Sequence, residues 1–197
     1  MKRLFLIFAA CLLMVVLTAD YAQAQITYGA RAGVGLTSIF RKVDRQTDKN
    51  IMPIVGYQAA FLAGKDLPFF DDVFFGQVEI SFATQGWENE ITKTTTNLNY
   101  LRVSPMIEIL PGFWNMYTQL GVYFGYAIGG ETDNRKINFG KNADMKAFDF
   151  GSTAGVGFQF NSVKIGLLVQ NSYVNFSNAA KVRERNTGMM LNLAYLF

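Results

Sequence analysis

Wherever this sequence alternates regularly between apolar and other residues, its charges fall on the glycine side. Six charged residues lie well inside such stretches, Arg31, Glu79, Arg102, Glu108, Asp149 and Lys164, and all six share a parity with glycines and amides. That parity carries Gly29, Gly33, Gly35, Gln58, Gln77, Ser81, Gln119, Gly121, Gly125, Gly151, Gly155, Gly157, Gly166, Gln170 and Asn192. The opposite one carries Val34, Leu36, Tyr57, Phe61, Ile80, Phe82, Leu101, Val103, Ile107, Leu120, Val122, Phe124, Val156, Phe158, Ile165 and Leu167. Residues two apart on a strand share a face, so each stretch reads as a β-strand with one apolar face and one polar, glycine-lined face. Glycine and charge would make a poor core for a water-soluble barrel. The apolar face is therefore assigned outward, toward lipid, and the polar face inward.

Eight such segments follow one another, at about 26–36, 51–64, 73–85, 97–109, 114–128, 147–160, 163–174 and 187–197. Their lengths suit tilted strands that cross a bilayer and exceed those usual in globular sheets. The connections alternate in length. After the first, third, fifth and seventh segments come the polar stretches TSIFRKVDRQTDKN, GWENEITKTTT, GGETDNRKINFGKNADMK and NFSNAAKVRERN; after the second, fourth and sixth come KDLPFFDD, LPGFW and NS. Long and short links in strict alternation are expected of an up-and-down barrel whose two rims face different compartments. The fold class expected is all-β, an eight-stranded antiparallel up-and-down transmembrane β-barrel. An even strand count puts both termini at the short-turn rim, which is then the periplasmic one.

The N-terminus agrees with that destination. Lys2 and Arg3 precede an apolar run from Leu4 to Leu17, and Ala22-Gln23-Ala24 offers a small-x-small cleavage site. Residues 1–24 read as a cleaved signal peptide and 25–197 as a single barrel domain. The apolar run is short for a membrane anchor. Cys11, the sole cysteine, falls within it, so the mature chain has none and its stability rests on hydrogen bonding and packing. Removing Lys2, Arg3 and Asp20 from 18 cations and 15 anions leaves a net charge of +2, which gives no sign of nucleic-acid binding. Charged residues make up only 17% of the chain, against about 25% in ordinary soluble domains.

An eight-stranded barrel leaves an interior only wide enough for its own side chains. Three cations and three anions there should pair, because an isolated buried charge is costly. If Thr84 lies opposite Leu98, Glu79 comes within a residue of facing Arg102, and Arg31 reaches the same level. Two readings of this cluster stay open, a packed plug of ion pairs and a polar gate for a narrow channel. Aromatic residues at the segment ends, Trp87, Phe69, Phe70, Phe113, Trp114, Tyr195 and Phe197, fit membrane–water interfaces.

Five stretches, ITYGARAGVGLTSI, LNYLRVSPMIEI, MYTQLGVYFGYAIGG, FDFGSTAGVGFQF and RNTGMMLNLAYLF, resemble in order and spacing the outer-membrane β-barrel family that includes PorT. In the fourth strand Arg102 and Ser104 stand before Pro105, where that family more often has a YLEIP type of pattern. The resemblance implies the barrel fold and an outer-membrane location, and through PorT an association with a protein-secretion system. It also implies that Met189, Leu191, Leu193, Tyr195 and Phe197 form the C-terminal signal that the barrel assembly machinery recognises.

No histidine occurs in the chain. Outer-membrane barrel enzymes resemble one another in using histidine as general base or its partner, so no catalysis is expected. Neither a cofactor nor a His/Cys metal site is expected, and the loop carboxylates Glu88, Glu90, Glu131 and Asp133 lack the spacing of a calcium loop. The long loops carry basic runs, Arg41 and Lys42, then Arg135 and Lys136, then Lys181, Arg183 and Arg185. Arginine and lysine suit phosphate, so these seven residues are candidate contacts to lipopolysaccharide. The leading reading is a structural or binding outer-membrane barrel, with lipid and an envelope protein as partners. A narrow channel and a soluble lipocalin-like periplasmic barrel are the alternatives.

Overall fold

The computed structural model describes residues 26–44, 46–67, 73–110, 114–133, 135–140 and 143–197. The proposed signal peptide, and Phe69, Phe70 and Phe113, lie outside them. Eight long strands form one sheet: β1 (Thr27–Val43), β2 (Ile51–Asp66), β3 (Phe74–Asn89), β4 (Thr95–Ile109), β5 (Met116–Thr132), β6 (Phe148–Phe160), β7 (Val163–Ser172) and β8 (Val182–Leu196). Each pairs antiparallel with its sequence neighbours, and β8 pairs with β1 from Val43↔Val182 to Gly29↔Leu196. The sheet is thereby closed into an up-and-down barrel with no free edge. Two short pieces, Gln46–Thr47 and Arg135–Lys136, turn back on the ends of β1 and β5.

The faces divide as the alternation requires. Tyr57, Ile80, Leu120, Val156 and Leu191 are each more than half exposed on the outer wall. Gln58, Gln77, Gln119, Gln170 and Asn192 are buried inside. The lipocalin-like alternative needs the reverse, an apolar interior through the barrel and a polar wall. Among the described residues no helix is long and apolar enough to cross a membrane, so the apolar surface belongs to the strands.

Strand lengths differ from the sequence reading at the long-loop end. β1 runs on to Val43 and β8 starts at Val182, so residues assigned to the first and fourth long loops form a continued ladder, Thr37↔Gly188 through Val43↔Val182. β3 and β5 likewise extend to Asn89 and Thr132. Charged and polar side chains in these stretches hid the strands because alternation between apolar and polar residues weakens once the outer wall leaves lipid. At the other rim Asn161, in the two-residue link between β6 and β7, takes the left-handed conformation (φ 52°) that asparagine tolerates.

The ladder is irregular where β2 passes Thr37 and Thr84, with a register shift between Pro53 and Gln58. The Thr84 hydroxyl accepts from the Tyr57 amide (2.7 Å) and the Thr37 hydroxyl from the Gly86 amide (3.0 Å), replacing the missing backbone partners.

Closure demands close backbone approach at β1–β8. A Cβ added at Gly35 would stand 2.0 Å from the Met189 carbonyl oxygen, and no rotamer relieves a clash with backbone. At Gly129 on β5 the nearest atom would be 3.8 Å away. Gly35→Ala is therefore expected to lower unfolding stability by about 1–3 kcal/mol and Gly129→Ala to leave it nearly unchanged. Urea titration of the detergent-folded barrel, read by its heat-dependent electrophoretic shift, separates the two; equal effects would contradict the seam geometry.

Candidate functional site

The inward parity of the strands delivers all six internal charges into the lumen, where each is at most 3% exposed. They form three pairs. Arg31 bonds Glu79 at 2.9 Å, Lys164 bonds Glu108, and Arg102 approaches Asp149 at 3.9 Å. The Glu79–Arg102 partnership expected from the sequence is not formed. Gln85, not Thr84, lies opposite Leu98, a one-residue difference that sets Glu79 against Ser104 and Arg102 against Ser81. Glu79 turns instead to Arg31 on β1.

Amides and hydroxyls join two of the pairs, Arg31–Glu79 and Arg102–Asp149, into one network, in which Gln170 donates to Gln58 (3.5 Å). Arg31 donates to Gln119 (3.1 Å), Gln58 donates to Glu79 (2.6 Å), and Arg102 donates to Gln170 (2.7 Å). Asp149 accepts from Tyr123 (3.3 Å), Asn186 (3.0 Å) and Ser172. The Arg102 guanidinium lies against the rings of Tyr100 and Tyr123, 5.1 and 4.6 Å from their centroids, and the Lys164 ammonium lies 5.2 Å from that of Phe75. Hydrogen bonds to the charged form and aromatic faces replace part of the water these ions have lost, while Glu108 Oε2 and Arg102 Nε are left without a hydrogen-bond partner among the described residues. Parity in the sequence places Gln58, Gln119 and Gln170 on the inward face; Tyr100 and Tyr123, which share it, were not singled out, and Asn186 falls in the stretch read as the fourth long loop.

Toward the long-loop end the lumen changes character. Ile39, Trp87, Leu98, Tyr100, Ala127, Ala147 and Phe176 form a buried apolar cluster, with Ile51, Ile137, Phe139 and Met145 packed against it. The link between β7 and β8 folds inward to supply Phe176, whose ring sits 5.8 Å from that of Trp87. Its backbone is fixed by Phe176 N–H to Glu184 O (3.1 Å) and Lys146 N–H to Phe176 O (2.8 Å). Asn178 ties it to the preceding long link by donating to the carbonyls of Gly140 (3.0 Å) and Ala143 (2.9 Å). Trp87 therefore belongs to the interior of the mouth and not to an interfacial belt, whereas Trp114 is exposed at a short turn. Polar ion pairs below and an apolar lid above fill the interior.

The seven candidate lipopolysaccharide contacts do not form one group. Arg41 points inward from β1 and pairs with Glu184 (3.3 Å) and Asp48 (3.8 Å). Arg135 pairs with Asp144 (3.2 Å), and Lys181 with Asp44 (3.4 Å). Lys136 is exposed beside Arg135. Lys42, Arg183 and Arg185 come together on the outer side of the β1–β8 ladder, on strands and not in loops. Among the described residues no group of carboxylates gathers as a metal site.

Met189, Leu191, Leu193 and Tyr195 line the outer wall of β8, 46–57% exposed, and the Phe197 amide donates to Tyr28 O (2.8 Å), which holds the last residue against β1. A sequence-family comparison matches residues 21–180 to the outer membrane protein β-barrel domain. The chain belongs to that family.

No curated protein sequence matches this family member. Among solved structures its fold is similar to that of Neisserial surface protein A, at a TM-score of 0.58 and 11% identity, over 88% of this chain and 99% of that one. OprG from Pseudomonas aeruginosa aligns at 0.46 and 12% identity, over 87% and 94% of the two chains. Ail of Yersinia pestis aligns at 0.41 and 17%, over 86% and 98%. The protein is thus an outer-membrane β-barrel of the small eight-stranded type.

The lumenal pairing predicts a non-additive response to mutation. Glu79→Gln leaves the Arg31 charge uncompensated and should cost about 3–5 kcal/mol, while Arg31→Met combined with Glu79→Leu should cost distinctly less than the single change. Denaturant unfolding of the refolded barrel gives both values, and a double variant as weak as the sum of its singles would remove the coupling.

Proposed function

We propose that this outer-membrane barrel works from its outer surface and not through its lumen. In this reading the long-loop rim faces the cell exterior and both termini lie in the periplasm. The barrel carries out no catalysis. Its rim binds lipopolysaccharide through the cationic positions Lys42, Arg135, Lys136, Lys181, Arg183 and Arg185; Arg41, turned inward onto Glu184, is not among them. The resemblance to PorT extends the role to a secretion accessory that meets an envelope protein at the same rim. During biogenesis the barrel assembly machinery reads Met189, Leu191, Leu193, Tyr195 and Phe197, whose outward placement leaves them accessible before insertion.

The observation that carries the reading is the filled interior. The three ion pairs and their amide network occupy the membrane-spanning part, and the Phe176 lid packs across the mouth, which leaves the rim and wall as the surfaces able to meet a partner. A structure built for conduction would need both layers to move at once.

Planar-bilayer recording of the purified full-length protein tests this directly. The expected result is a silent bilayer for the native protein, with co-purification of lipopolysaccharide from outer membranes. Discrete conductance steps that change selectivity when Glu79 or Arg102 is neutralised would make the lumenal charges a gate and move the channel reading to first place.

A further inference from the structure

The outer wall along the β1–β8 seam changes character row by row. Outward pairs Ala30–Tyr195, Ala32–Leu193, Val34–Leu191 and Leu36–Met189 are apolar or aromatic; Ser38–Thr187 presents two hydroxyls; Phe40–Arg185 and Lys42–Arg183 present cations. With a rise of about 3.3 Å per residue and a strand tilt near 40°, the two cationic rows stand roughly 10 and 15 Å above the last apolar row, Leu36–Met189. The headgroup layer of a bilayer is about 5–8 Å deep on each side, so these rows stand at and just beyond its outer edge, the level reached by a headgroup as large as a phosphorylated sugar.

Among the described residues the cations in these rows lack acidic partners. Glu184 and Asp48 are taken by Arg41 on the inner side, and Asp44 by Lys181. Lys42 rests over the Phe40 ring at 5.2 Å, and among the described residues neither Arg183 nor Arg185 makes an ion pair. Lys42 and Arg183 are also directly opposite across the ladder, an arrangement of like charges that is unfavourable until an anion lies between them. Phe40, Lys42, Arg183 and Arg185 line a shallow depression of about 100 Å³. It shares Lys42 and Arg183 with an open cleft of about 690 Å³ that runs to Asn175 and Ala179, room for a phosphorylated sugar and not only a free ion.

We propose that Lys42, Arg183 and Arg185 form a binding site for the phosphate of a phosphorylated outer-leaflet lipid, whose acyl chains lie along Leu36, Met189, Val34 and Leu191. The inference rests on the lipopolysaccharide reading above and narrows it from six cations around the rim to three on one wall. Arginine forks match phosphate oxygens two at a time, and lysine adds a point charge. A free anion would use only the upper two rows. A lipid uses the whole seam, which is why the lipid is the occupant assigned.

Binding to the full-length barrel in nanodiscs, with lipopolysaccharide, enzymatically dephosphorylated lipopolysaccharide and inorganic phosphate as probes, decides the matter. The triple variant Lys42→Gln, Arg183→Gln, Arg185→Gln should weaken intact lipopolysaccharide by roughly a hundredfold or more, down to the level at which the dephosphorylated form binds the native protein. The variant Lys49→Gln, Lys93→Gln, which removes two exposed cations elsewhere on the same rim, should bind as the native protein does. An unchanged heat-dependent migration shows that each variant is folded. If intact lipopolysaccharide binds tightly and the triple variant holds it equally well, the site assigned here is wrong while the broader reading survives. Absence of binding by the native protein overturns both. Inorganic phosphate that competes at the same concentration as the lipid would overturn the lipid as occupant.

Discussion

A backbone that enters lipid finds no water for its amides, so everything in this protein depends on the ladder between β1 and β8. With that ladder formed, no membrane-embedded strand has an unpaired edge; without it, two edges face hydrocarbon. The ladder runs from Gly29↔Leu196 to Val43↔Val182, the full length of β8 and all but the first two residues of β1. The same pairing fixes which side chains face inward, since a shift of one residue would carry Arg31 to the lipid and Leu36 into the lumen. The small residues on the inner face of the seam, Gly33 and Gly35 against Asn192 and Met190, leave space inside for the arginine and glutamine side chains that fill the barrel.

Charges inside a narrow barrel are stabilised only as a set. Arg31 with Glu79, Lys164 with Glu108 and Arg102 with Asp149 give no net charge, and Gln58 and Gln170 carry hydrogen bonds between the first and the last of these pairs. Beyond the lipid the polarity of the two faces reverses. Ile39, Trp87, Leu98 and Phe176 turn inward, while Phe40, Lys42, Arg183 and Arg185 turn outward. The sheet is the same and its surroundings differ: within the bilayer the outer wall must be apolar, and in water the hydrophobic effect moves the apolar core inside. The reversal explains how one continuous strand can carry a lipid-facing stripe, a row of hydroxyls and a cationic patch in succession.

Much of this was legible in the chain as written. The period of two, the confinement of six charges to the glycine parity, and the alternation of long with short links specify a transmembrane barrel, because each reports a local rule that holds along a single strand. The strand ends at the long-loop rim were not legible, since Thr37–Val43 and Val182–Thr187 lose the apolar stripe that makes a strand visible. Trp87 could not be placed either. An aromatic at the end of an apolar segment is equally compatible with an interface and with an interior, and it was Phe176, from a link nearly ninety residues away, that made the interior its place.

Alternation along the chain is enough to set the fold and the face of each lipid-level side chain, and the cost of an unpaired ion is enough to require that the lumenal charges balance. The partners were set by the folded barrel. Whether Glu79 meets Arg102 or Arg31 turns on two residues of register between β3 and β4, and the separation of Lys42, Arg183 and Arg185 from Arg41, Arg135 and Lys181 turns on where the acidic side chains of other segments fall. Alternation has a period of two and cannot distinguish one register from another two residues away; the closed ladder can.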